Sequence, residues 1–240
     1  MYRSLMTAVA VVLSVSTQAA VAADGAPHDW SGYYIGVDLG GARSKTNLTN
    51  TVSDPALNWT DFGVGDSLGY TRSGLLGGAH VGLNFQQDRF LYGAELSAFG
   101  AGISGGGTLP PNLTGSAGDD VFVSKILMLL LATARVGYTF DQTLLYAKAG
   151  YAGAKVSTSV ADSVGSLGAG SNSAWRSGFA LGAGVEHAVA SNWTLGLEYD
   201  YARLGSASIN LGNTAPYVFN DKSRNVHMIV ARLGYKFSGN

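Results

Sequence analysis

From residue 30 onward, large apolar side chains alternate with small or polar ones in segments of about ten residues. Successive side chains of an extended strand point to opposite faces, so this period of two predicts strands with one apolar side. In the first, from Trp30 to Gly41, Tyr33, Ile35, Val37 and Leu39 oppose Tyr34, Gly36, Asp38 and Gly40. The pattern returns from Ser73 to Gln86, with His80 on the glycine-rich face, and from Phe90 to Phe99, where Tyr92, Ala94 and Leu96 oppose Gly93, Glu95 and Ser97. In a fourth segment ending at Phe140, Ala134, Val136 and Tyr138 oppose Arg135, Gly137 and Thr139. Its first half, Ile126 to Leu131, is apolar at every position, and a polar lumen does not explain Leu127, Leu129 and Leu131. Four further strands follow: Leu144 to Lys155, Trp175 to Val189, Trp193 to Leu204 and Val226 to Phe237.

The gaps carry independent information. Gln87-Asp88, Asp141-Gln142-Thr143 and Ala190-Ser191-Asn192 are hairpin-length connections, whereas the four gaps at 44–72, 100–124, 156–174 and 205–225 are long and polar. Three short turns and four long loops are what an eight-stranded antiparallel up-and-down transmembrane β-barrel requires when both chain ends lie on the short-turn side. The expected fold is therefore all-β and OmpA-like. Aromatic residues cluster beside the short turns, and Trp30, Phe85, Phe90, Phe140, Trp193 and Phe237 are predicted to form a girdle at one membrane interface. Trp175, Tyr70, Phe99 and Tyr201 lie near the long loops and suit the opposite girdle. A soluble lipocalin-like barrel would place its apolar face inward and scatter charge outside, the reverse of this pattern.

Sorting by parity also sorts the charges. Asp38, Glu95, Glu186, Glu198 and Asp200 fall on the inner face with Arg135, Lys148, Arg176, Arg232 and Lys236. An eight-stranded barrel is just wide enough to be filled by side chains, so five acids and five bases are expected to pair across the lumen. Inward glycines, among them Gly36, Gly82, Gly137, Gly182 and Gly234, would make room for them.

Composition supports an exported membrane chain. Charged residues make up only 13% of the 240, against about a quarter in ordinary soluble domains. There is no cysteine, hence no disulfide, thiolate metal site or lipidated cysteine. Residues 1–23 read as a cleaved signal peptide: Arg3, an apolar run from Leu5 to Val15, and Ala-Val-Ala-Ala at 20–23. Residues 24–240 then form the barrel domain. The net charge of −1 gives no basis for binding nucleic acid.

Together WSGYYIGVDLGG, TARVGYTF, LLYAKAG, GAGVEHAVASNWTLGLEYDYARLG and the closing ARLGYKF resemble the alphaproteobacterial small outer-membrane β-barrel, or porin-like surface antigen, family of outer-membrane immunogenic proteins. The resemblance covers nearly all predicted strands and leaves the loops unmatched. It implies a place in the cell outer membrane, surface exposure, and roles in envelope integrity or host contact. The chain departs from the barrel pattern in placing Ser238, Gly239 and Asn240 after its last aromatic, Phe237, and in carrying His187 where an aromatic is usual.

No HExxH, GxSxG, cysteine pair or phosphate loop is present. The expectation is a protein without catalytic, metal-binding or cofactor-binding residues. A lipid-modifying activity would need His80, His187 or His227 beside a serine. The expected function is a rigid barrel that displays polar loops. Two alternatives are a narrow pore gated by pairs such as Glu95 with Arg135, and loop capture of haemin through Tyr70 or Tyr217. The expected partners are outer-membrane lipid and lipopolysaccharide, the barrel-assembly machinery, and extracellular or host ligands reached through the loops.

Overall fold

The computed structural model describes residues 28–50, 67–108, 121–161, 170–210, 218–221 and 224–237, and these contain strands but no helix. Six long strands come first: β1 (Gly32–Asn50), β2 (Ser67–Gln87), β3 (Phe90–Thr108), β4 (Val121–Phe140), β5 (Thr143–Ala161) and β6 (Gly170–Ala188). They are followed by β7 (Trp193–Leu204), β8 (Ala207–Asn210), β9 (Val218–Asp221) and β10 (Arg224–Lys236). Each long strand pairs antiparallel with the next, and β10 pairs with both β7 and β1, from Tyr34↔Lys236 to Lys45↔Asn225. The short β8 and β9 pair with each other, and β9 also pairs with β1 at Leu48↔Asp221. They prolong the seventh and eighth walls, giving a closed eight-stranded meander. Closure removes the free edge that an open sheet would expose.

Two of the tight turns rest on aspartates. Asp88 and Asp141 have φ of 54° and 50°, a left-handed conformation that Asp tolerates because its short carboxylate bonds locally to the backbone. Residues 1–23, expected to be a signal peptide, and the middle of each of the four long gaps lie outside the described residues.

The strands are longer than the apolar alternation indicated. Residues 44–50, 67–72, 100–108 and 156–161 were expected in loops, yet they continue the ladders. The ladder is made by backbone N–H and C=O groups, which pair equally well under polar side chains. At about 3.3 Å per residue and a tilt of about 45°, strands of 19 to 21 residues rise about 45 Å, well beyond an apolar band about 25 Å tall.

Burial alternates along each strand in the sense opposite to that of a soluble barrel. Leu39 is 68% exposed and Leu75 is 75% exposed, while Glu95 and Arg135 are buried. An exterior of Leu, Val, Ile, Phe and Tyr wrapped around buried charge suits a hydrocarbon solvent.

The uninterpreted run from Ile126 to Leu131 is explained by a β-bulge. Ile126 pairs with Val156 and Met128 with Lys155, which leaves Leu127 as one extra residue; the β3 register shifts at the same level. The extra residue inverts the parity. Below the bulge Leu129 and Leu131 point inward; above it Ile126 and Ser124 do, and Leu127 and Met128 both face outward.

Candidate functional site

The lumen is filled in layers. Nearest the short turns, Trp30 is 2% exposed and packs with Leu91, Leu144, Tyr146 and Ala188 across the mouth of the barrel. Its backbone N–H donates to the Gln86 side chain (2.8 Å), and the His28 N–H donates to the Asp141 carbonyl (3.1 Å). The leading segment thus folds over this mouth as a cap.

Above the cap lies an ionic layer centred on Glu95 from β3. This carboxylate accepts from Arg232 Nη2 (2.7 Å), Tyr34 Oη (3.0 Å), Ser97 Oγ (3.1 Å), Lys148 Nζ (3.3 Å) and Arg135 Nη1 (3.4 Å). Glu198 accepts from Arg232 Nη1 (2.5 Å), Tyr146 Oη (2.6 Å) and Lys148 Nζ (2.7 Å). Glu186 lies 3.1 Å from Arg135, and Asp200 3.2 Å from Lys148. Asp38 lies 3.3 Å from Arg232 Nε and bonds His80 Nδ1 at 2.9 Å. The Arg135 guanidinium is stacked between the Tyr34 and Tyr146 rings, each centroid 4.7 Å away, and donates from Nε to Asn84 (3.0 Å). These groups come from all eight walls, so the layer ties the barrel together across its width. Charges buried at this depth are tolerated only when nearly every one has partners.

Small residues provide the space. A Cβ at Gly82 would run into the Tyr34 hydroxyl, one at Gly184 would come within 2.5 Å of the Tyr146 hydroxyl, and one at Gly182 would meet the Asp200 carboxylate and the Lys148 stem.

Two of the ten residues expected in this network lie elsewhere. Lys236 sits at the short-turn rim, where its ammonium bonds the Asp29 carbonyl and lies 3.8 Å from the Asp29 carboxylate. Arg176 is buried on the inner face but higher, where its Nη1 donates to the Gly205 carbonyl (3.4 Å). Parity assigns a face and not a height, and these two residues stand at the wrong heights. In the described layer five carboxylates therefore meet three fixed cations, Arg135, Lys148 and Arg232, together with His80.

Beyond the charges comes an apolar layer that the sequence reading missed. Leu76, Phe99, Ile103, Ile126, Leu129, Leu131, Val156, Leu204, Val226, Met228 and Val230 form one buried cluster across the lumen. Its signal was present in the inward parity of Val226, Met228 and Val230, which continues upward from Arg232. Above the apolar layer the interior turns polar again: Arg72, fully buried, donates to Ser124 Oγ (2.8 Å), which lies 3.1 Å from Thr158 Oγ1.

The aromatic girdle beside the short turns consists of Phe85, Phe90, Phe140, Trp193 and Phe237, all outward and exposed. Tyr138 and Tyr235 join it, with ring centroids 4.7 Å from Phe140 and 5.1 Å from Trp193. Trp30 does not belong to it, because its N-terminal segment turns inward before β1 begins. Of the four aromatics expected at the other end, Trp175 is exposed and Tyr201 half-buried on the outer face, while Tyr70 and Phe99 occupy inward positions and are buried. Tyr217 lies outside the described residues. His187 and His227 face outward, on Thr143 (3.0 Å) and Tyr199 (2.7 Å), and His80 is held by Asp38.

Comparisons agree with this architecture. Residues 7–237 match the model of the outer membrane protein beta-barrel domain. The chain is 31% identical over 239 residues, 98% of its own length and 94% of the relative's, to the 31 kDa outer-membrane immunogenic protein of Brucella melitensis. The protein of that name from Brucella suis matches to the same extent. Among solved structures, the outer membrane protease OmpT from Escherichia coli superposes with a TM-score of 0.52 at 10% identity, covering 85% of this chain and 96% of that one, a likeness of fold alone. A closed barrel with an apolar exterior and an ionic interior, matched by the family model over almost its whole length, places this chain in the outer membrane as a member of the outer membrane protein beta-barrel domain family.

Proposed function

We propose that the protein is a non-enzymatic, non-conducting barrel that displays surface loops, contributing to envelope integrity and to contact with the host or environment. The observation that supports this reading is the filled lumen: a tryptophan cap, an ionic layer and an apolar layer succeed one another along the axis. A conducting pore needs a continuous polar path, and side chains of an eight-stranded barrel close it. The immunogenic name of the Brucella relatives fits a chain whose loops are reached from outside.

Antibodies against peptides 51–66, 109–120 and 162–169 should label intact cells, whereas an antibody against the Asp88 turn should label only permeabilised ones. Absence of loop labelling on intact cells would reject the display reading. In planar bilayers the refolded protein should give no unitary conductance; reproducible steps that disappear on Glu95→Gln or Arg135→Gln change would favour the pore instead.

A further inference from the structure

The polar ring above the apolar layer holds a buried charge that the loop-display reading does not use. Register sets Ser44 of β1 beside Arg72 of β2, and Gly105, Ser124 and Thr158 side by side on β3, β4 and β5. Gly105 joins the two sets: a Cβ there would come within 2.6 Å of Arg72 Cγ, so its missing side chain lets the arginine stem cross β3 and reach Ser124. The ring stands on an apolar floor, because the next inward residues toward the short turns include Ala42, Ile103, Ile126 and Val156, all buried. Floor, ionic layer and cap separate it from the short-turn mouth, which leaves the loop end as the way in.

Arg72 is fully buried, yet only its Nη1 is engaged, donating to Ser124 Oγ. Its Nε and Nη2 are buried without a hydrogen-bond partner. Among the described residues Arg72 has no carboxylate partner, and the carboxylates of the ionic layer lie on the far side of the apolar floor. The Ser44 and Tyr70 hydroxyls are likewise buried and without partners. Tyr70 lies next to the guanidinium, its ring centroid 5.5 Å from Arg72 Cζ. Arg176 has partners of its own, the Gly205 carbonyl among them, and does not enter the site. An uncompensated guanidinium in a dry interior is costly, and so is each buried N–H without an acceptor.

We propose that Arg72, with the Ser44 and Tyr70 hydroxyls, forms an anion site that takes the carboxylate group of a small organic acid entering from the loop end. The two unengaged nitrogens select the ligand. Nε–H and Nη2–H make up the side edge of the guanidinium, a pair of parallel donors that meets both oxygens of one carboxylate. Charge selects in the same direction: one cation above an apolar floor balances one negative charge, whereas a phosphate monoester carries about 1.5 to 2 near neutral pH. The Ser44 and Tyr70 hydroxyls add donors without adding charge. A barrel lumen that side chains can fill limits the rest of the acid to a small group. The inference rests on the sealed floor and not on loop display, and a leaking floor would show separately as conductance in planar bilayers.

The test uses the mature protein, refolded in detergent and labelled for nitrogen NMR, with acetate as the probe. The Arg72 Nε–H signal, identified by its loss in Arg72→Gln, should shift saturably with acetate. It should stay in place with acetamide and with chloride at matched ionic strength. A ligand of the folded state alone also stabilises it, so acetate should raise the urea midpoint of the wild type above that in chloride and leave Arg72→Gln unmoved. Ser44→Ala/Tyr70→Phe should weaken the acetate response severalfold while keeping the Arg72 signal. Folding is checked by the heat-dependent electrophoretic shift. If Arg72→Gln fails to fold, Arg72→Lys, which keeps the charge and loses the paired donors, should lower the acetate affinity about tenfold. An Arg72 signal that moves no more with acetate than with chloride would overturn the proposal. So would a tighter response to inorganic phosphate than to acetate, which would assign the site to phosphate.

Discussion

Within the ionic layer, acids and bases are not equivalent, because five carboxylates share three fixed cations and a histidine. Arg135 holds Glu95 and Glu186 at once and fills the gap between two tyrosine rings. Arg135→Met would leave these acids under-compensated in a dry interior, and the expected cost is about 3–5 kcal/mol, measured as a fall in the urea midpoint of the refolded protein. Asp200 has Lys148 as its cationic partner, and Asp200→Asn removes one charge of the sign in excess. That change should cost no more than about 1 kcal/mol in the same assay, well below the arginine variant. A reversed order would contradict the charge balance described for this layer. Trp30 offers a second test at this scale. With Trp59, Trp175 and Trp193 replaced by Phe, fluorescence of the remaining Trp30 should resist quenching by brominated lipid tails. A protein retaining only Trp193, which is 46% exposed, should be quenched strongly.

At the level of single strands, the bulge in β4 decides which side chains enter the lumen. Deleting Leu127 would remove the one extra residue and make the alternation continuous, with Ser124 and Ile126 still inward and Lys125 still outward. The deletion should therefore lower the temperature of the electrophoretic shift little more than Leu127→Ala, which only trims an outward side chain, and loss of the folded barrel would contradict the single-residue bulge. The same strand shows what was legible beforehand. From Ala132 to Phe140 the alternation is strict, and the structure follows it residue by residue. Across 126–131 every position is apolar, so the sequence carries no alternation from which a parity change could be seen. Strand ends were underestimated for a related reason: above the apolar band both faces of β1 and β2 are polar, and the hydrogen bonds that extend them leave no mark on composition. Depth was the other missing coordinate. Arg176 and Lys236 have the right face, yet only the stagger between neighbouring strands places one above the apolar layer and the other at the rim.

For the barrel as a whole, the two filled layers close the axis independently. Emptying one should therefore not open it. Phe99→Ala/Leu129→Ala is expected to destabilise the fold by several kcal/mol yet leave planar bilayers silent, and current should appear only when Glu95→Ala, Arg232→Ala and, at the cap, Trp30→Ala are added. Current from the first pair alone would mean that the charged layer does not seal. The height of the walls has a further consequence. Since the ladders rise roughly 20 Å past the hydrocarbon boundary, the hydrogen-bonded cylinder acts as a stiff pedestal. A peptide grafted between Asn50 and Ser67 would stand clear of the first sugars around the barrel, so an antibody could dock there without first parting the carbohydrate coat.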